Sequence, residues 1–148
     1  MPEITRTAQI TWNGGLETGG GAVTGASGAL DALPMTFAAR AQQAEGSNPE
    51  ELLAAAHATC YSMALTFQLE KAGATPKNTF TKASVTFRMN GENLSIPSIH
   101  LDCECEVEGI GAEQFQEIAE AVKHGCPVSK LLEPGLESLT LEARLKGA

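Results

Sequence analysis

Hydrophobic and polar positions change period several times along the chain, and each change marks an element. Residues 5–12 (RTAQITWN) alternate with period two and predict a strand. Gly14-Gly15 makes a turn, and 16–25 reads as a second strand with a glycine-rich middle. Residues 26–47 are rich in Gly, Ala and Ser, contain Pro34, and read as irregular. Ser47-Asn48-Pro49-Glu50-Glu51 then opens a helix: Asn48 suits the N-cap, Pro49 the first helical position, and the two carboxylates the positive end of the dipole. This helix runs to about Ala72 and is ended by Gly73. It is apolar on nearly every side, so it is expected to be central and covered all round. Residues 79–89 and 95–107 alternate as strands, with Gly91 in the turn between them. In 112–124, Phe115, Ile118, Ala119 and Val122 share one helical face. Gly125 closes that helix, Cys126-Pro127 opens a short one to about residue 132, and 137–145 alternate as a last strand. No repeat, linker or low-complexity block interrupts the pattern. The expectation is one α+β domain over residues 1–148, with antiparallel strands in hairpins around a central buried helix.

Composition narrows the possible roles. The 148 residues are 43% hydrophobic and 19% charged, as in a globular domain large enough to fold without a metal or disulfide staple. Ten Lys+Arg stand against eighteen Asp+Glu, giving a formal net charge of -8 with no basic run, and such a surface repels nucleic-acid phosphates. The most apolar stretch, 52–69, is broken by His57, Thr59, Ser62, Thr66 and Gln68, too polar for a membrane span. The first twenty residues lack the apolar run of a signal peptide. A cytoplasmic protein with no membrane partner is expected.

Cysteines at 60, 103, 105 and 126 carry the candidate chemistry, since a reducing compartment disfavours structural disulfides. Cys103 and Cys105 share a strand face with Leu101 and Val107. They read as small core residues; as half of a metal site they lack a completing pair of ligands. Cys60 lies mid-helix among apolar neighbours, where burial raises a thiol pKa and slows its reactions. Cys126 stands where it can cap the short helix, and unpaired N–H groups there favour a thiolate. Cys60 and Cys126 could form one redox pair if the fold brings their Cα atoms within about 7 Å. His57, one turn before Cys60, reads as a satisfied core histidine rather than a catalytic base. His124, near a helix C-terminus, fits the dipole.

Two motifs, NPEELLAAAHATCYSMAL (48–65) and CPVSKLL (126–132), resemble the OsmC/Ohr family of thiol peroxidases. ITWNG (10–14), Pro34 with Phe37 before Arg40, and VEGI (107–110) extend the likeness over essentially the whole length, on the OsmC side. The resemblance implies an intertwined homodimer with active sites at the subunit interface. It implies reduction of organic hydroperoxides by a small thiol or dithiol donor, without metal or other cofactor. Cys60 then corresponds to the peroxidatic cysteine, Cys126 to the resolving one, Arg40 to the cation beside the reacting sulfur, and Glu50 to its carboxylate partner. Cys103 and Cys105 match no motif of the family.

Glu50 and Cys60 are ten residues apart, about 15 Å along a helix axis. The carboxylate therefore acts through the long arginine or across the dimer. Phe37, Met63, Phe67 and Pro127 are candidate pocket residues, and an apolar lining favours alkyl and aryl hydroperoxides by about 0.8 kcal/mol per buried methylene. The alternative to an enzyme is a redox-sensing or small-ligand-binding module on the same fold.

Overall fold

Strands β1 (Ala8–Asn13), β2 (Gly20–Gly25) and β3 (Leu33–Met35) form an antiparallel sheet in chain order. They are followed by a short helix, α1 (Phe37–Ala41), whose first turn is capped by the Thr36 hydroxyl on the Ala39 N–H at 3.0 Å. β3 and α1 fall in the stretch expected to be irregular. Three residues and five residues are too short for periodicity to reveal, and both lean on neighbours for their hydrogen bonds. These elements come from a computed structural model describing residues 1–147, whose contacts divide it into two compact units, the second beginning at Leu53.

The long helix α2 (Pro49–Lys71) starts as its sequence dictates. The Asn48 side-chain oxygen accepts from the Glu51 N–H at 2.7 Å, and its amide donates to the Ala39 carbonyl at 3.0 Å. Gly46, at φ +109°, delivers the chain to this cap; a Cβ there would sit 2.8 Å from the Pro34 carbonyl oxygen. Within the chain, α2 is not covered all round. His57, Tyr61, Leu65 and Leu69 form one buried stripe at four-residue spacing, while Met63 and Phe67 stand exposed at 69% and 60%.

In the second unit, β4 (Thr75–Asn90) and β5 (Asn93–Glu108) make a long antiparallel hairpin turning at Gly91-Glu92. Next come α3 (Ala112–Gly125), α4 (Pro127–Leu132), a 3₁₀ turn at Glu133–Gly135 and β6 (Ser138–Leu145). β6 pairs with β5 in parallel, Ile99 opposite Leu139 and Cys103 opposite Ala143, so the expectation of hairpins throughout is corrected. A crossover through two helices returns the chain to the same end of the sheet, which makes the new strand parallel to the old one.

Ile99, Leu101, Cys103 and Cys105 project from β5 into a core with Tyr61, Leu65 and Leu69 of α2 and Phe115, Ala119 and Val122 of α3. Tyr61 spans this core to donate to the Ala119 carbonyl at 3.0 Å. Among the described residues no helix is long and apolar enough to cross a membrane.

Candidate active site

Cys126 occupies the N-cap of α4, where Pro127 takes the first helical position and its missing N–H costs nothing. The Cys126 sulfur accepts from the Ser129 N–H at 3.4 Å, and its thiol donates to the Ser129 hydroxyl at 3.1 Å. Cys60, half-buried on α2, meets this corner of the fold. Burial pushes the Cys60 thiol up from its ordinary value. The Val128 N–H, bonding to the sulfur, pulls it down, while the nearby Cys126 sulfur raises it again by repulsion and by hydrogen bonding. Two thiols 66 positions apart are thus brought near enough for the Cys126 sulfur to shift the titration of Cys60, with no disulfide between them. A cavity of about 290 Å³ opens here, lined by Ala64, Gln68, Ile118, Val122, Gly125 and Cys126.

His57 was expected to be a satisfied core residue, and half of that is observed. It is wholly buried, and its Nε2 lies 2.8 Å from the Ser129 hydroxyl, but its Nδ1 has no partner among the described residues. Burial pushes its pKa below the ordinary value of 6.5. Ser129 is the third residue after the Cys126 cap, where a cap accepts from the backbone N–H, and nothing in the sequence singles out its hydroxyl. No signal tied His57 to it across 72 positions.

In the first unit Arg40, on α1, meets Glu50, in the first turn of α2. Arg40 Nη2 donates to Glu50 Oε1 at 2.8 Å, and Nε lies 3.1 and 3.2 Å from the two carboxylate oxygens. Glu50 is buried and Arg40 largely so, a forked charge-assisted pair that fixes the guanidinium plane. Phe37 and Arg40 line a separate cavity of about 310 Å³ with Ile10, Trp12, Met35 and Leu52. Of the other pocket candidates, Met63 and Phe67 flank a groove of about 470 Å³ with Ser62, Thr66 and Thr79, and Pro127 heads α4 beside Cys126.

Cys103 and Cys105 are completely buried in the core, their sulfurs 3.6 Å apart, with the Thr81 hydroxyl 3.8 Å from Cys103. The core-packing reading of this pair matches their placement. Among the described residues no three His, Cys, Asp or Glu side chains gather to hold a metal ion. His124 faces Glu133 at 2.8 Å.

An α+β scaffold with two neighbouring thiols, one capping a helix, has the parts that thiol redox chemistry needs. The comparisons make this particular. Residues 42–138 match the model of the OsmC-like protein family. The chain is 40% identical over 143 residues to the peroxiredoxin OsmC of Escherichia coli (strain K12), covering 97% of this chain and 98% of that one. It matches the peroxiredoxin OsmC of Shigella flexneri to the same degree. Among solved structures, OhrB of Bacillus subtilis, an organic hydroperoxide resistance protein, superposes with a TM-score of 0.66 at 27% identity, covering 95% of this chain and 98% of that one. An OsmC-like protein from Mycoplasma pneumoniae shares the fold with a TM-score of 0.75 at 14% identity, over 97% and 99% of the two chains. The chain belongs to the OsmC-like family, and at the level of that family it is a thiol-dependent peroxidase.

Proposed function

We propose that this enzyme reduces organic hydroperoxides through Cys60 and Cys126. The observation that carries the reading is the proximity of these two thiols at the N-terminus of α4, where Cys126 is the cap and its sulfur shifts the titration of Cys60. In the first step the Cys60 thiolate attacks the distal peroxide oxygen. The O–O bond breaks, the alkoxide leaves and is protonated to the alcohol, and Cys60 becomes a sulfenic acid. Cys126 then attacks that sulfur, water leaves, and a disulfide joins the two. A small dithiol reopens it by exchange. Since burial raises the Cys60 pKa, the thiolate needs a cation, and Arg40 is the residue we assign. A guanidinium keeps its charge when desolvated, and the Glu50 fork holds it in one plane. It reaches the reacting sulfur in a homodimer with a shared site. Phe37, Met63, Phe67 and Pro127 supply apolar surface for the alkyl or aryl tail.

The test is steady-state reduction of cumene hydroperoxide with dihydrolipoamide, together with intact-mass analysis after one equivalent of oxidant. Turnover and a Cys60–Cys126 link are expected. Cys60→Ser abolishes turnover, and Arg40→Ala raises the pH at which Cys60 alkylates. A protein that is oxidised by one equivalent but never turns over is a sensor, not an enzyme.

A further inference from the structure

From Cys126 a buried line of polar groups runs back into the fold, and two of its members, Ser129 and His57, have no part in the peroxidase chemistry above. Cys126 donates to the Ser129 hydroxyl at 3.1 Å, and Ser129 lies 2.8 Å from His57 Nε2. All three side chains are buried, at 1%, 0% and 0% exposure. Ser129 Oγ, which accepts from the Cys126 thiol, can donate its own proton to Nε2. In that tautomer the imidazole carries its own proton on Nδ1, the buried atom with no partner among the described residues. A buried N–H left bare costs about 1–3 kcal/mol, which an apolar residue of similar size in that place would avoid. A purely structural histidine does not explain that penalty, whereas a proton acceptor reached through Ser129 does.

We infer that Ser129 and His57 form the proton path of the resolving step. This rests on the assignment of Cys60 and Cys126 above. When the Cys126 sulfur attacks the sulfenic acid of Cys60, an S–S bond forms and the S–O bond breaks. The Cys126 sulfur is oxidised and the Cys60 sulfur reduced. The thiol proton passes to Ser129 Oγ as the Ser129 proton passes to His57 Nε2. The departing hydroxide takes a proton from solvent and leaves as water, and the imidazolium, disfavoured by burial, returns its proton to solvent, so that the two transfers balance. When a reductant thiol later attacks the disulfide at Cys60, the more accessible sulfur, Cys126 leaves as a thiolate and takes up the proton that the attacking thiol gives up. His57 ends the cycle neutral, as it began. Ser129 touches the reacting sulfur, and His57 acts through it as a positioning residue. Burial keeps His57 neutral, hence able to accept, through the neutral pH range. The titratable groups that interact with Cys60 and Tyr61, beside this line, are Cys126 at the head of α4, Cys103 and Cys105 on β5 and Glu120 on α3.

The experiment is a single turnover of the full chain with one equivalent of cumene hydroperoxide. Sulfenic acid is trapped with dimedone, and the disulfide is counted by intact mass across pH. In the unaltered protein, disulfide formation is expected to be flat with pH through neutrality. Ser129→Ala slows it by about 10²-fold, makes it climb with pH, and lets sulfenic acid accumulate. His57→Gln behaves similarly, and Ser129→Thr restores both rate and profile. Disulfide formation at the parent rate and profile in Ser129→Ala and His57→Gln overturns the proposal. So does a slow Ser129→Thr with an unshifted profile, because packing would then be the cause. Should the substituted chains not fold, the unaltered protein still decides by its rate in mixtures of light and heavy water. A bowed dependence reports two protons in motion, and a straight one overturns the path. If the unaltered protein forms no sulfenic acid at all, the peroxidase reading itself has failed, and the proton path falls with it.

Discussion

His57 shows how one residue's environment sets a property of the whole molecule. Folding removes it from water and lowers its pKa below 6.5, so the unfolded chain binds a proton more readily than the folded one. The stability tied to this group is therefore complete above pH 6.5 and is lost as pH falls from there through the lower, folded-state value. The slope in that window is about 1.4 kcal/mol per pH unit. Urea denaturation at a series of pH values from neutral downward should show this decline, and His57→Asn should flatten it. A parent and variant with parallel declines would assign the loss to the carboxylates instead.

At the scale of elements, α2 is held between two different ends. Asn48 and Pro49 start it, and Gly73 stops it: the Ala74 N–H reaches back to the Leu69 carbonyl at 3.0 Å while Gly73 sits at φ +87°. A Cβ on Gly73 would meet nothing within 4 Å, so Gly73→Ala tests the backbone conformation alone. It should destabilise the chain by about 1 kcal/mol, read as a lowered urea midpoint with an unchanged slope. These ends were legible from the sequence because capping is local chemistry, and the same holds for the thiol cap of α4. β3 and α1 were not legible, since elements of three and five residues carry no period. The parallel pairing of β6 depends on where the crossover lands, not on the strand's own alternation. The His57–Ser129 contact escaped for a related reason: it joins positions 72 apart, and only packing brings such groups together. The Cys60–Cys126 pairing, by contrast, was suggested from the sequence by two family motifs, which carry long-range information that periodicity lacks.

At the scale of the molecule, the single chain leaves apolar surface that a water-soluble monomer would hide. Every residue of β1 is exposed, including Ile10 and Trp12, and β1 is an edge strand. Met63, Phe67 and Leu131 stand 69%, 60% and 77% exposed. An apolar helix face and an open strand edge are both association hazards unless covered. α2 is apolar on nearly all sides yet buried on one stripe, which is what a helix looks like when its remaining cover comes from another chain. A second copy of this chain is the partner we assign, in keeping with the shared site proposed above. Sedimentation equilibrium should then give twice the 15.5 kDa chain mass at micromolar concentration. Phe67→Glu places a charge on the exposed face without touching the core, so it should shift the protein toward monomer and lower hydroperoxide turnover in step. If the chain sediments at its own mass and still turns over, α2 needs no partner and the cation beside Cys60 comes from within one chain.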